Sequence, residues 1–265
     1  MTSLNVERTG AGKPLVLVHG LGSSIRNWDP VVPALSAERE VVAVDLPGFG
    51  ASAPLAGEVS IATLTDALQE FLNEEGLEGA DVVGSSMGGR IVVEMACRGH
   101  TGAMVALDPG GFWNDRQQAV FNASTTATVA LVRRLQQAMP FLTRHAAGRT
   151  ALLAQFSAKP WKLDPAQVLT ELRSIKASPS LDEARRALAH GPKQPGAPRG
   201  SLKGRLAIGW GRQDRVTPPS EAAAAAPLYP DATFHWFENC GHFPQGDQPE
   251  ATVRFILEQT GSPPA

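Results

Sequence analysis

Between a short apolar run, Ala80-Asp81-Val82-Val83, and a helical pattern over residues 89–96 stand five residues: Gly84-Ser85-Ser86-Met87-Gly88. They spell G-x-S-x-G, and no other stretch restricts the fold as strongly. A serine at such a strand-to-helix turn is held in a strained backbone with its hydroxyl pushed out at the carboxyl end of a sheet. Glycine is needed two residues either side because a side chain there would strike neighbouring backbone. The helix amino terminus beneath the serine favours developing negative charge. Ser86 is therefore the candidate nucleophile.

A motif of this kind works only inside a strand-helix alternation, and the rest of the chain supplies one. Short apolar runs, near-continuous as in strands buried on both faces, recur at 15–18, 41–44, 81–83, 104–107, 206–208 and 233–237. Helical patterns fall at 24–37, 60–75, 87–99, 219–227 and 248–259. Such alternation predicts an α/β fold: a mostly parallel twisted sheet with helices on both faces. Residues 4–8, followed by Thr9-Gly10-Ala11-Gly12, add an antiparallel edge strand. The alternation stops between Phe112 and Gly200. That stretch has helical patterns at 127–139 and 182–190, and a loop rich in proline and glycine at 191–198. The expected organisation is a core of residues 1–111 and 201–265 with a helical cap insertion over 112–200. The insertion has a net charge of +8, the remainder −10. Most of those cations are expected on solvated helix faces, although the asymmetry could steer anionic substrates or surfaces.

Composition bounds what such a chain contacts. With a net charge of −2 over 265 residues, nucleic acid is not expected as a partner. No run approaches the roughly 18 apolar residues of a membrane span, so no stable membrane anchor is expected. Residues 1–14 lack the charged-then-apolar pattern of an export signal. Cys97 and Cys240 do not make a disulfide framework. Two reduced thiols in a cytoplasmic protein is the expectation.

Serine is a poor nucleophile at neutral pH and needs a base, itself oriented by a carboxylate. Asp214 follows one strand in Gly211-Arg212-Gln213-Asp214, and His242 follows the last in Asn239-Cys240-Gly241-His242. The order Ser86, Asp214, His242 is the order this architecture requires. Asp108, ending the strand at 104–107, is the alternative acid. An oxyanion needs two backbone N–H donors. Met87, next after the serine, supplies one by position, and Leu21 in His19-Gly20-Leu21-Gly22 the other. The His19 side chain is expected to brace its loop. Asp45 is expected to bond local backbone, and Cys240 to be a small packed residue. Ser85, Phe112, Trp113 and Phe243 are the expected pocket residues. The aromatic residues of the insertion are expected to pack it against the core or line the pocket, with a lipid surface as the other reading. No clustered metal-ligand spacing and no phosphate-cradling glycine loop is present, so neither metal nor organic cofactor is expected.

In this combination the chain resembles the α/β-hydrolase superfamily. The motifs that carry the resemblance are His19-Gly20-Leu21-Gly22, Asp45-Leu46-Pro47-Gly48-Phe49-Gly50-Ala51-Ser52, the Ser86 turn, Gly211-Arg212-Gln213-Asp214 and Gly241-His242. It spans about residues 4–111 and 201–260. The resemblance implies a serine hydrolase with a helical cap, acting on carboxylic ester or lactone bonds of a small molecule through an acyl-enzyme. Ser86 attacks, His242 is the base, and Leu21 and Met87 hold the oxyanion. Serine at the turn disfavours relatives that use aspartate there. Two alternatives stay open: a carbon–carbon bond hydrolase of ring-cleavage products, and a ligand-binding regulatory protein on the same fold. The first usually carries Asn at position 85 and Trp at position 243, unlike this chain.

Overall fold

A computed structural model describes residues 4–261. Its sheet has seven strands: β1 (Val6–Thr9), β2 (Pro14–Val18), β3 (Glu40–Val44), β4 (Asp81–Ser85), β5 (Met104–Leu107), β6 (Leu206–Gly211) and β7 (Thr233–Phe237). Their order is β1-β3-β2-β4-β5-β6-β7. β1 runs antiparallel to β3, and every other pair is parallel. From β2 the chain builds outward to β3, then returns to place β4 on the other side of β2. This reversal opens a crevice at the carboxyl ends of β2 and β4, where ligands bind in open α/β sheets. The turns after both strands emerge there.

Eleven α-helices are described: α1 (Val32–Leu35), α2 (Ile61–Glu74), α3 (Met87–Cys97), α4 (Asp115–Arg134), α5 (Met139–Arg144), α6 (Ala146–Leu153), α7 (Pro165–Ala177), α8 (Leu181–His190), α9 (Pro219–Ala225), α10 (Pro244–Asp247) and α11 (Pro249–Thr260). Alternate residues of each strand feed two cores. On one face Val16, Val42, Val82 and Ile208 meet Leu68 of α2 and Ile91 of α3. On the other, Leu15, Leu17, Val83 and Val105 meet Trp28, Leu35 and the α11 residues Phe255 and Ile256. Near-continuous apolar strands are the consequence of both faces being covered. Arg39 binds the pieces below the sheet. Its guanidinium donates to Asp81 at 2.6 Å, to the Thr260 hydroxyl at 2.8 Å and to the Pro14 carbonyl at 3.0 Å.

Helices α4 to α8 all lie between β5 and β6, which are parallel neighbours. They have a small core of their own, with Val132, Met139, Val168 and Leu172 buried together. The local boundaries differ from the sequence reading in three places. Residues 24–37 form a 3-10 turn (Ile25–Trp28) and the single-turn α1 rather than one helix. Pro30 and Pro33 each remove a backbone donor there. The expected helix at 127–139 starts earlier, at Asp115. Asn114 and Gln117 cap it reciprocally with side-chain to backbone bonds, and Met139 begins a separate helix. β7 is a sheet edge whose first four residues alternate between exposed and half-buried, so it is not covered on both faces. Among the described residues no helix is long and apolar enough to cross a membrane.

Candidate active site

Ser86 sits between β4 and α3 with φ 56° and ψ −111°, a backbone L-residues rarely adopt. Two bonds pin it: its N–H donates to the Leu107 carbonyl at 2.8 Å, and its carbonyl accepts from Arg90 N–H at 2.9 Å. The flanking glycines are obligatory. A Cβ on Gly84 would stand 2.2 Å from the Gly88 carbonyl oxygen, and one on Gly88 2.2 Å from that of Val18. The strain is held because α3 presses directly on β2 and β4.

His242 and Asp214 reach Ser86 from the turns after β7 and β6. His242 Nε2 lies 2.8 Å from Ser86 Oγ, and its Nδ1 lies 2.8 Å from Asp214 Oδ2. The second Asp214 oxygen accepts from the N–H groups of Val216 at 2.7 Å and Thr217 at 3.1 Å. The Thr217 hydroxyl donates to Oδ2 at 2.7 Å. Burial pushes the Asp214 carboxyl up, but His242 and the Thr217 hydroxyl outweigh it and hold the group below the ordinary aspartate value. A carboxylate kept ionised there fixes Nδ1 as the protonated ring nitrogen and leaves Nε2 to accept from the serine.

Asp108 is buried beside this pair at φ 46°. Its Oδ1 accepts from Gly211 N–H at 2.8 Å, while Oδ2 has no partner among the described residues. Burial, then the charge of Asp214, drives its carboxyl well above the ordinary value. Among the described residues, Asp108, Asp214 and His242 are the one cluster with metal-ligand spacing, their ligand atoms within 4.8 Å of one another. The Asp214 and His242 atoms there are already bonded to each other.

The loop after β2 approaches the serine closely, for a Cβ on Gly20 would lie 3.2 Å from Ser86 Cβ. Leu21 and Met87 line the same chamber as Ser86. Neither of their N–H groups donates to a protein acceptor among the described residues. His19 Nδ1 is 2.7 Å from the Gly20 carbonyl, and Nε2 accepts from Leu46 N–H at 3.0 Å. The ring thus ties two loops together. Asp45 receives the N–H groups of Ile25 and Ala51. Cys240 is fully buried, and burial raises its thiol.

Above Ser86 lies a narrow apolar chamber of about 120 Å³. Phe121 and Val129 of α4, Leu172 and Ile175 of α7, and Leu181 and Leu188 of α8 form its roof. Phe243 also lines it, with His242 in edge contact at 4.9 Å between centroids. The other expected pocket residues are elsewhere. Ser85 is buried in the strand end, and its hydroxyl accepts from Gln245 Nε2 at 3.0 Å. Phe112 folds back into the core against Trp210 and Tyr229. Trp113 stacks on Phe121 at 4.8 Å, behind the chamber wall. Phe121 and Phe156, two of the insertion's aromatics, line the chamber as expected of that group. Sequence reasoning missed Thr217 and Glu171. The Asp-x-x-Thr spacing signalled the first, since such a threonine can return its hydroxyl to the carboxylate. Nothing local signalled the second.

The alpha/beta hydrolase family model matches residues 15–255. The chain is 32% identical over 254 residues to the dihydrolipoyllysine-residue acetyltransferase component of the acetoin cleaving system of Cupriavidus necator. That alignment covers 90% of this chain but 61% of the relative, so the chain spans less than two thirds of that protein's length. It is 25% identical to 2-hydroxy-6-oxononadienedioate/2-hydroxy-6-oxononatrienedioate hydrolase of Comamonas testosteroni, covering 96% of this chain and 90% of that one. Among solved structures, a thermophilic esterase from Thermogutta terrifontis superposes with a TM-score of 0.74 at 23% identity, covering 96% and 92% of the two chains. With the family model running from β2 through the Ser86 turn into α11, this chain belongs to the alpha/beta hydrolase family.

Proposed function

We propose that the protein is a serine hydrolase that cleaves carboxylic ester or lactone bonds of small molecules through an acyl-enzyme. The observation that carries this reading is the unbroken chain of 2.8 Å contacts from Asp214 through His242 to Ser86. In this reading His242 Nε2 takes the Ser86 proton as Oγ attacks the substrate carbonyl. The charge then forming on the carbonyl oxygen is held by the Leu21 N–H of the loop after β2 and the Met87 N–H at the amino terminus of α3. His242 returns the proton to the departing alkoxide, then draws one from water as that water attacks the acyl-enzyme. Helices α4 to α8 act as a cap that excludes bulk water and shapes the acyl pocket. The reaction needs no cofactor.

Carbon–carbon hydrolysis is the second reading, and the Comamonas relative favours it because the two chains match over nearly their whole lengths. That relative is named for dioate substrates. Here a carboxyl, that of Glu171, lines the chamber wall, which suits a neutral or cationic substrate better than an anionic one. The deciding experiment is turnover of a p-nitrophenyl ester series of increasing acyl length by wild type and Ser86→Ala. Short acyl esters are expected to turn over, with a loss on the order of 10⁴–10⁶ in the variant. A folded wild type inert to every ester would overturn the ester reading and move the search to carbon–carbon substrates.

A further inference from the structure

Beside the serine chamber lies a second, larger one of about 410 Å³. The two share a wall made of Leu153, Phe156, Glu171 and Phe243. Phe156 and Phe243 stack across this wall at 6.0 Å between centroids. Glu171, on α7, is the one charged member, and it faces both chambers. Its Oε2 accepts from the Ser23 hydroxyl at 2.6 Å, and Oε1 lies 3.4 Å from Gln167 Nε2. These donors are neutral. No Lys, Arg or His among the described residues is within ion-pair distance of it. A second acceptor belongs to a residue that lines the larger chamber. Gln245, 1% exposed, spends its Nε2 on Asn27 at 2.7 Å and on Ser85, and its Oε1 has no partner among the described residues.

A half-buried carboxylate without counter-charge and an orphaned buried amide oxygen are both acceptors that need a donor. A primary ammonium offers three N–H donors and the missing positive charge. Resting on the ester reading above, we propose that Glu171 is a specificity-determining residue, selecting esters whose leaving group carries a protonated primary amine. The acyl part then fills the apolar chamber over Ser86, and the leaving group lies in the larger one.

The other charges around Glu171 agree with this polarity. Asp29, Asp164 and Asp247 line the larger chamber, with Lys162 as its single cation. Lys162 is exposed at the rim, and Asp164 caps α7 by accepting from Gln167 N–H at 2.8 Å. Asp247 is occupied by the N–H groups of Ala158 and Gly241. From the neighbouring 3-10 turn, Arg26 pairs with Glu7 and Asp29. From α4, Arg133 pairs with Asp182. Arg144 of α5 lies over Phe141, and Arg149 of α6 donates to the Thr143 and Trp161 carbonyls. Arg173 and Lys176 of α7 itself are exposed and line neither chamber. His242 shares the inner chamber and is held by Asp214 and Ser86. Burial, helped by the charge of Asp29, pushes the Glu171 carboxyl up to about 7, against the Ser23 bond that favours its ionised form. The selecting charge therefore develops as pH rises through neutrality.

The test compares 4-(aminomethyl)phenyl acetate with its neutral analogue, 4-ethylphenyl acetate. The ratio of their kcat/KM values cancels the titration of the shared triad. Between pH 6 and pH 8, where the amine stays protonated, the wild-type ratio is expected to rise about fivefold as Glu171 ionises. In Glu171→Gln it should be flat. Binding of both esters to Ser86→Ala, followed by titration calorimetry, reads the same discrimination without turnover. A wild-type ratio that does not change with pH would overturn the proposal, as would a rise that persists in Glu171→Gln. If wild type cleaves neither ester, the ester reading falls, and the pH dependence of the two affinities for Ser86→Ala decides the role of Glu171.

Discussion

Thr217 bears on the triad more directly than its sequence position suggests. Its hydroxyl donates to Asp214 Oδ2 at 2.7 Å, the same oxygen that faces His242 Nδ1. It therefore helps keep that carboxylate ionised and the imidazole aligned. Thr217→Val should lower kcat/KM on a short p-nitrophenyl ester about tenfold, the worth of one hydrogen bond to a charged group. Thr217→Ser should restore most of it. Asp214→Asn removes the orienting charge altogether and should cost about 10⁴ in kcat with the fold intact by circular dichroism. At this scale the sequence was readable where chemistry dictates spacing. Ser86, Asp214 and His242 each follow a strand, and in the structure their side chains meet. It was unreadable where packing decides which way a side chain turns. Phe112 and Trp113 follow β5 closely enough to face the crevice, yet Trp210, Tyr229 and Phe121 draw them inward. Glu171 lies 85 positions from Ser86 in the sequence, and only the folding of α7 over the sheet brings it to the chamber.

Elements were legible where one physical signal dominated. The helices α2, α3 and α11 begin and end within about two residues of the expected positions, because their amphipathic period is clear, with a capping box at Ser60 for α2 and Pro249 and Gly261 bracketing α11. The 24–37 stretch shows the limit. Its apolar spacing reads as a helix, but two prolines break it, and burial of Trp28 rather than helix propensity fixes its course. The strand bases show a feature no local pattern reveals. Arg39, at the foot of β3, is buried with its partner Asp81 at the foot of β4, and it also holds the last turn of α11. Lys13 approaches the same Asp81 oxygen from the surface at 2.8 Å. Removing Arg39 leaves a buried carboxylate with one exposed partner. Arg39→Met should thus destabilise the protein by about 3 kcal/mol, the lower end for breaking a buried pair, as read by the urea midpoint. Adding Asp81→Asn should recover part of that loss, because the stranded charge goes with it.

The whole molecule concentrates buried acids around the carboxyl ends of β5 and β6. Glu221 of α9 is 1% exposed, and its Oε2 has no partner among the described residues. Burial first, and the charge of Asp214 second, push its carboxyl up to about 8, from an ordinary value of 4.5. A carboxyl raised on folding stays protonated in the native state while the unfolded chain releases its proton. The native state then binds more protons than the unfolded one, so stability falls as pH rises from about 4.5 toward 8. Asp108 and Glu171, also raised by burial, act in the same sense, and other groups act in the opposite one. Burial lowers His19 and His235, whose cost appears as pH drops below about 6.5, and Asp214 is held low, so its contribution is lost only in acid. The total pH profile is a compromise among these groups, and its shape alone identifies none of them. The Glu221 contribution is isolated by subtraction, since the other groups are common to wild type and Glu221→Gln. Denaturant unfolding of the pair should give nearly equal stabilities at pH 4. The difference should then widen in favour of the variant through neutrality, reaching about 2–4 kcal/mol by pH 8, because each pH unit crossed with one extra proton on the native state costs roughly 1.4 kcal/mol. A difference that stays constant across this range would mean that Glu221 ionises alike in the folded and unfolded chains. The carboxyl cluster beneath the triad would then carry no pH-dependent cost from this residue.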